Sequence, residues 1–312
     1  KDIKDNVLRV CGPSSIVDDP IRGLRAVRLA TQLDFRIDTQ TLALLKEAAP
    51  DLTTASPERI RDELFQMLAA SRPAKHVRRL IRLRLLQQFC PEVPLLEDIP
   101  SHSLQARNEL ERTLAVMDWL SRLLSVLGSR HDPEAAADMT LAQATVRLGR
   151  FRDQMEEHLA HALSADRTAR QLLFFAALYH AAESRAQILQ ADTDKAPSEE
   201  VHEARATVAG LRAKALRLSR AEVERVGAVV SNQSLPAQLA SQAGITPKSI
   251  YRFFRQTGRA GVEVSLLFLA KFLADHIPPP PQELWARQVE MARVVLLAYF
   301  EDRGRRVSPP PL

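Results

Sequence analysis

Aromatic residues, glycine and cysteine are scarce in this 312-residue chain. Aromatic residues make up 5% of the sequence, and there are 10 glycines. Sheets joined by tight turns use more of both, so the composition favours helices packed on helices. The two cysteines, Cys11 and Cys90, exclude a disulfide scaffold and favour a reducing compartment, the cytoplasm. No apolar run approaches the roughly 18 residues of a membrane span, so no membrane partner is predicted.

Apolar and basic residues are what the chain does contain. Hydrophobic residues account for 46% of the sequence, and the formal net charge is +5. A chain of this length is expected to form two or three packed units. The positive charge mildly favours a polyanionic partner. Because the segment that starts at Lys1 is typical of the middle of a protein, we expect a fragment of a longer chain.

Apolar residues recur at helical spacing almost throughout, which predicts an all-α fold with no paired strands. Thr39 and Ser56 are the expected N-caps of two of the helices, and Pro57 follows at the first helical position. The predicted helices cover 19–33, 39–49, 56–68, 72–86, 104–127, 138–163, 167–190, 201–217, 220–231, 235–243, 247–256, 261–275 and 282–304.

Two adjacent carboxylates precede the first of these helices. Asp18 and Asp19 are followed by Pro20 and then by Arg22. An aspartate before a proline is an ordinary helix start, with Asp19 as the N-cap and Pro20 at the first helical position. The alternative is that a carboxylate and a guanidinium bind a ligand together. The two roles are compatible.

Three blocks follow one another between residues 18 and 92, and together they are specific. They read "DDPIRGLRAVRLATQLDFRIDTQTLALLKEAAPDL", "SPERIRDEL" and "RRLIRLRLLQQFCPEV". Their order and spacing resemble the neck and body of bacterial class II RNA nucleotidyltransferases, which are the CCA-adding tRNA nucleotidyltransferases and the related poly(A) polymerases. The resemblance implies that this region recognises the incoming base and holds RNA, with tRNA as the expected RNA and CTP or ATP as the nucleotide.

In that family an acidic-acidic-x-x-Arg motif serves as a protein template for the base, and Asp18, Asp19 and Arg22 match it. Cytosine and adenine present an amino donor beside a ring-nitrogen acceptor, whereas uracil and guanine present the reverse. The resemblance therefore implies that Asp19 accepts from the amino group and Arg22 donates to the ring nitrogen. Such a pair would select C and A.

The catalytic head of the family does not match residues 1–17. It contains a Gly-Gly or Gly-Ser element and a pair of acids that hold two Mg²⁺ ions. The one Asp-x-Asp here, Asp192-Thr193-Asp194, lies in a polar segment far downstream. We expect the head and its Mg²⁺ upstream of Lys1, with no catalytic residue in this chain. Whether the intact protein adds CCA, CC, A or a poly(A) tail is left open.

Residues 100–232 resemble, more weakly, the HD phosphohydrolase-like domain of some family members. In that family the corresponding positions hold metal ligands. Only His180 and His202 remain as ligand types, whereas a hydrolytic site needs three protein ligands and a water. The resemblance therefore predicts a scaffold domain without a bound metal. The positions in question hold Arg112, His180, Ala181, His202 and Asn232.

The predicted organisation has three parts. A neck and RNA-binding body covers 1–98, an HD-like helical tail covers 99–275, and a Pro-rich linker with a C-terminal helix covers 276–312. The last helix carries an apolar stripe that would pack on the body or on a second copy in a homodimer. This stripe consists of Trp285, Val289, Val294 and Leu297.

Two helices carry cations at helical spacing, and both are candidate phosphate contacts. The alternative is an ordinary solvated face. Aromatic neighbours of the second set, Tyr251 and Phe254, are expected to belong to the core. Arg84, just after the first set, stands where the family usually has a turn glycine. The first set is Lys75, Arg78, Arg79 and Arg82, and the second is Lys248, Arg252, Arg255 and Arg259.

The sequence thus predicts the base-recognition and RNA-binding part of an enzyme that adds C and A nucleotides to RNA 3′ ends. A noncatalytic RNA-binding or scaffold protein of the same family is the alternative, so the enzymatic status of the chain stays open. An HD-type phosphohydrolase is a weaker third hypothesis, which requires a divalent ion held tightly at His180 and His202.

Overall fold

The computed structural model describes residues 2–12, 14–128, 138–164, 166–182, 199–242 and 244–301. Helices dominate these ranges, and the all-α prediction is confirmed. The Asp192-Thr193-Asp194 segment lies outside the described residues. Within the described part of the chain, no helix combines the length and the apolar character needed to cross a membrane.

Among the described residues, five helices form the N-terminal part, and ten more follow. The first five are α1 (Ser15–Asp18), α2 (Ile21–Gln32), α3 (Thr39–Glu47), α4 (Pro57–Leu68) and α5 (Pro73–Arg82). The next five are α6 (Glu109–Leu127), α7 (Met139–Leu148), α8 (Arg152–Ala160), α9 (Ala169–Tyr179) and α10 (Glu199–Ala215). The last five are α11 (Arg220–Ser231), α12 (Leu235–Ala240), α13 (Pro247–Thr257), α14 (Gly261–Asp275) and α15 (Gln282–Phe300).

Local capping explains where the helices differ from their predicted bounds. The helix predicted over 104–127 begins at Glu109, because the Asn108 side chain accepts a hydrogen bond from the Glu111 amide at 2.9 Å. The helix predicted over 138–163 is interrupted by a 3₁₀ turn at Gly149–Phe151, where glycine has low helix propensity.

Two predicted N-caps were wrong or incomplete. Asp38, not Thr39, caps α3, and its carboxylate accepts from the Gln40 and Thr41 amides at 3.2 and 3.3 Å. A carboxylate is the better acceptor here because the helix N-terminus carries partial positive charge. Ser56 does stand at the N-cap of α4, but its side chain makes no capping hydrogen bond.

Two very short strand pairs contradict the prediction that no strands pair. Val7–Leu8 pairs in parallel with Arg36–Ile37, and Ala162–Ser164 pairs antiparallel with Arg167–Thr168. Strands of two or three residues are too short for an alternating pattern to be visible in the sequence.

One hydrophobic core runs through the described helices, with α6 and α14 packed side by side at its centre. The C-terminal helix α15 packs into it against α7, α12 and α14. Trp285 is buried and its indole nitrogen donates to the Thr140 carbonyl at 2.9 Å. Val289 is also buried, and Val294 and Leu297 lie half-buried against the same core. The predicted stripe thus packs within the chain, and a homodimer stays a prediction.

Side chains of α9 satisfy the end of α4. The Gln171 amide donates to the Phe65 carbonyl at 3.0 Å, and the Arg170 guanidinium donates to the Ala69 carbonyl at 2.9 Å. The Ala69 carbonyl stands at the C-cap, beyond the reach of a helical amide, and the Phe65 carbonyl accepts from the Ala69 amide as well as from Gln171. These contacts therefore stabilise the end of α4 and join it to the following region. The division of the chain at 98/99 and 275/276 stays a prediction.

Candidate nucleic-acid interface

Asp19 lies at the break between α1 and α2. α1 ends at Asp18, the Asp19 backbone is extended (φ −149°, ψ 95°), and Pro20 occupies the N-cap of α2. The prediction that Asp19 is the N-cap and Pro20 the first helical residue was therefore wrong by one position. A residue before proline avoids the α conformation, so Asp19 is extended and the helix begins after Pro20.

The Asp19 carboxylate has an arginine partner that the motif did not predict. Its Oδ2 accepts from Arg59 Nη2 at 2.8 Å, whereas Arg22 Nε lies 3.7 Å away. The hydrogen bond from Arg59 lowers the pKa of Asp19, with the charges of Arg59 and Arg22 acting in the same direction against partial burial. Asp19 is therefore an ionised, acceptor-only group at neutral pH.

Arg22 is the more available cation of the pair. Its Nη1 donates to the Ser15 carbonyl at 3.2 Å, and 54% of its side chain is exposed. Asp18 is exposed and accepts from the Ser14 hydroxyl at 3.0 Å, apart from the other two motif residues. We call Asp19, Arg22 and Arg59 the Asp19 cluster. Arg59 belongs to the "SPERIRDEL" block. The occurrence of this block together with the motif was the sequence signal that could have identified Arg59 as a partner of Asp19.

The other two arginines of α2 are structural. Arg25 Nε donates to Glu63 Oε1 at 3.0 Å, and Arg28 Nε donates to Glu63 Oε2 at 2.8 Å. Glu63 is 5% exposed, so removing one partner would leave a buried charge poorly compensated. This contact holds α2 against α4 and thereby places Arg59 next to Asp19.

The predicted cations of α5 are mostly engaged within the chain. Lys75 pairs with Asp34 at 2.6 Å, and Arg78 pairs with Asp118. The Arg79 guanidinium donates to Thr31 Oγ1 at 3.1 Å and to the Phe35 carbonyl at 3.3 Å. Among the described residues, only Arg82 of this set is exposed without a polar partner.

The cations of α13 are in the opposite condition. Lys248, Arg252, Arg255 and Arg259 are all exposed, and none forms an ion pair with another described residue. α13 begins with a capping box in which Thr246 and Ser249 bond reciprocally, and Pro247 follows the cap. Lys248, Arg252 and Arg255 lie on α13 and span roughly 10 Å at 1.5 Å per residue. Arg259 lies in the 3₁₀ turn Gly258–Ala260 after the helix, so the prediction that it continues the same helix face was wrong, because Gly258 has positive φ and ends α13.

The aromatic residues of α13 belong to the core. Phe253 and Phe254 are buried with their ring centroids 5.1 Å apart, and Phe254 also lies 5.7 Å from Tyr299. This confirms the expectation for Phe254, and Tyr251 is half-buried. These side chains anchor the helix so that its basic face is directed outward.

The structure brings close together only some of the residues that were predicted as remnants of a metal site. His180 is buried with its Nε2 3.4 Å from Arg112 Nη1. The Asn232 amide instead donates to the Ala228 carbonyl at 2.9 Å, within its own helix. The described residues contain no group of three His, Cys, Asp or Glu side chains placed to hold a metal ion. They therefore do not fit a two-Mg²⁺ site or an HD metal site, and no chemical step is assigned to a metal here.

Comparison with known proteins supports the sequence resemblance. Residues 34–96, which contain α3 to α5, match the family model described as "Probable RNA and SrmB- binding site of polymerase A". A CC-adding tRNA nucleotidyltransferase of Geobacter sulfurreducens is 35% identical over 139 residues. The N-terminal part of the chain is thus similar in sequence to class II CCA-adding nucleotidyltransferases.

The curated relatives are considerably longer than the matched part of this chain. The Geobacter match covers 43% of this chain and 29% of the relative. A CCA-adding enzyme of Limosilactobacillus reuteri is 38% identical over 93 residues, or 29% of this chain and 23% of the relative. The chain thus spans under a third of the length of these curated relatives.

Solved structures share the fold over nearly the whole chain. An apo CCA-adding enzyme superposes with a TM-score of 0.57 at 18% identity, covering 97% of this chain and 52% of the other. A Thermotoga maritima CCA-adding enzyme complexed with tRNA has a TM-score of 0.55 at 17% identity, covering 95% and 52%. These similarities extend the fold assignment beyond the part that is similar in sequence.

Proposed function

We propose that this chain is the base-recognition and RNA-binding part of a nucleotidyltransferase that adds C and A nucleotides to tRNA 3′ ends. The observation that carries the proposal is the Asp19 cluster, in which an ionised carboxylate and an exposed guanidinium lie side by side. The names of the relatives support tRNA as the RNA and C as one added nucleotide.

The Asp19 cluster has the chemistry to select a base. Asp19 can only accept hydrogen bonds and Arg22 can only donate them. Cytosine and adenine offer the complementary amino donor and ring-nitrogen acceptor, and uracil and guanine offer the wrong set. Arg59 holds the Asp19 carboxylate in place through the 2.8 Å bond, next to the exposed guanidinium of Arg22.

The basic stripe of α13 is the proposed RNA-binding surface, with Arg82 of α5 as a second point of contact. Exposed cations without ion-pair partners among the described residues can neutralise RNA phosphates and so release the counterions condensed on the RNA, which is a main source of RNA affinity. Lys75, Arg78 and Arg79 would contribute less, because each is already bonded within the chain.

In this proposal the reaction joins CTP or ATP to an RNA 3′ hydroxyl, and this chain selects the nucleotide and holds the RNA. A CCA-adding enzyme of similar fold has been solved with ATP, which supports the choice of nucleotide. The family's Mg²⁺ would bind residues other than those described here. Free thiols at Cys11 and Cys90 support a cytoplasmic location.

Selectivity among nucleotides tests the proposal in the native full-length protein that contains this chain. We expect Arg22→Ala to reduce the preference for CTP and ATP over UTP and GTP about 10- to 100-fold, because one base-reading bond contributes ~1–3 kcal/mol of discrimination. Arg36→Ala is the matched control, since Arg36 is exposed and takes no part in the Asp19 cluster or in the Glu63 contact. Equal loss for all four nucleotides would show that Arg22 is purely structural.

The noncatalytic alternative is favoured by the free stripe on α13, which needs no chemistry to bind RNA. Incubating the native full-length protein with labelled CTP or ATP and a tRNA lacking its 3′ end separates the two functions. Nucleotide addition supports the enzyme. Tight tRNA binding without any addition supports the noncatalytic RNA-binding protein.

A further inference from the structure

A cavity of about 390 Å³ lies at the surface between α11, the strand Ala162–Ser164 and the 3₁₀ turn Gly258–Ala260. Neither the Asp19 cluster nor the cations at 248–255 line it. Its volume falls within the roughly 300–1,000 Å³ that is usual for sites of small ligands. Because the side chains at its rim are exposed, one group of a much larger ligand can enter it.

Small apolar side chains form the floor of this cavity. Leu163 and Ala228 are half-buried, and Ala260 is buried. Such a floor leaves room for a flat ring and matches the apolar face that every nucleobase presents. His161, which is exposed at the end of α8, adds an imidazole ring at the rim, and histidine is one of the side chains on which unpaired bases stack.

The charges around the cavity favour a negatively charged ligand. Among the described residues that line it, Glu224 is the only acid, and it pairs with Arg220 at 2.7 Å. Arg225 pairs with the buried Glu263 of α14. Arg259 is exposed and has no ion-pair partner among the described residues, so the rim carries a positive charge that the chain does not compensate.

Arg259 connects the cavity with the cations of α13. Because Gly258 ends α13 with positive φ, the chain turns and Arg259 lines the cavity instead of continuing the helix face. Arg225 Nη1 donates to the Arg259 carbonyl at 3.1 Å and thereby holds this turn against α11. An RNA strand whose phosphates contact the cations at 248–255 therefore reaches the cavity at Arg259.

We propose that this cavity binds the base of one unpaired RNA nucleotide, with the phosphate of that nucleotide on Arg259. The inference rests on the proposed RNA-binding function and adds a site for a base to it. The base would lie against the apolar floor and stack on His161. A base that is paired stays inside the duplex, whereas an unpaired base can be splayed out into a protein pocket. The cavity would thus distinguish RNA with a bulge or loop from a plain duplex.

Two RNA stems that differ by one nucleotide test the site in the native full-length protein that contains this chain. One stem is fully paired, and the other carries a single bulged uridine. Fluorescence anisotropy should show about 5- to 100-fold tighter binding of the bulged stem, as expected for one base stacked on side chains. Equal, tight binding of both stems would overturn this site but not the RNA-binding function. Absence of binding to either stem would contradict both.

Filling the cavity separates the role of the base from that of the phosphate. Ala221→Leu combined with Ala228→Leu should remove the preference for the bulged stem and leave the salt dependence unchanged, because no charge is lost. Arg259→Gln should weaken the binding of both stems and reduce the slope of log affinity against log salt by ~0.7–0.9. Ala215→Leu combined with Ala237→Leu is the matched control, because both alanines are exposed on helices and do not line the cavity.

A second measurement needs no variant. A photoreactive 4-thiouridine at the bulge should crosslink to the side chains that touch it, and mass spectrometry identifies the attached peptides. We expect crosslinks within 161–163, 221–228 or 257–260, and none there when the same label is in a paired position. Crosslinks confined to other peptides, or a preference for the bulged stem that survives filling of the cavity, would overturn the proposal.

Discussion

α5 and α13 present the same pattern in sequence and differ in the folded protein. Each carries four cations at helical spacing. On α5, Lys75, Arg78 and Arg79 are bonded to residues of other segments. On α13 and in the 3₁₀ turn after it, all four predicted cations are exposed without an ion-pair partner in the described part of the chain.

Helical spacing of cations therefore identifies a basic helix face, but it does not show whether those cations stabilise the fold or bind RNA. α5 lies between α2 and α6, so its cations meet Asp118 and the Thr31 hydroxyl. α13 lies at the edge of the core with only its aromatic face buried. We therefore expect cations of α5 to contribute to stability and those of α13 to RNA affinity.

The largest effect is expected from removing the α13 stripe. Replacing Lys248, Arg252, Arg255 and Arg259 by glutamine should reduce the slope of log affinity against log salt for tRNA by about 3, because each lost phosphate contact removes ~0.7–0.9 of a counterion. The stability to urea should hardly change. Fluorescence anisotropy at several salt concentrations measures the slope.

A matched control for the α13 variant is Arg107→Gln with Arg220→Gln. These arginines are highly exposed but each pairs with a glutamate four residues further on. Their removal should leave the salt dependence nearly unchanged. If both variants lowered the slope equally per charge, the cations at 248–259 would not be a distinct RNA-binding surface.

The next largest effect is expected on stability when Arg79 is lost. Arg79→Met leaves Thr31 Oγ1 and the Phe35 carbonyl without this donor, so the free energy of unfolding should fall by about 1–3 kcal/mol. Lys75→Met, on the exposed side of the same helix, should change it by less than ~0.5 kcal/mol. Urea denaturation followed by circular dichroism compares them, and similar losses would contradict the assignment.

The smallest effect concerns the end of α5. Arg84 has φ +57°, and the Leu85 amide bonds back to the Leu80 carbonyl at 3.0 Å, as in a helix C-cap that favours glycine. Arg84→Gly should therefore stabilise the chain by about 0.5–1 kcal/mol, since relief of left-handed strain exceeds the added chain entropy. Arg82→Gly, inside the helix, should destabilise it by a similar amount. Thermal melting of both variants measures these changes in stability. A lower melting temperature for Arg84→Gly would contradict the assignment of a C-cap that favours glycine at this position.

The positions of the helices followed largely from the sequence. α11 and α14 have the predicted bounds of 220–231 and 261–275, because apolar periodicity and caps are local properties. The family resemblance also came from the sequence, through three ordered blocks. The predicted start of α2 and the predicted N-cap of α3 lie one residue away from their positions in the structure. Neighbouring acidic and hydroxyl side chains compete for one helix end, so the sequence does not show which of them caps it.

The partners of the charged residues were decided by the tertiary structure alone. Arg59 lies 40 positions from Asp19, and Lys271 lies 38 positions from Gln233. The sequence signal for buried charge in α14 was the presence of Glu263, Lys271 and Asp275 in a largely apolar helix. Helical periodicity is set by neighbours along the chain, whereas the pairing of a buried charge depends on which helices pack together. Only packing therefore determined which cations stabilise the fold and which remain free to bind.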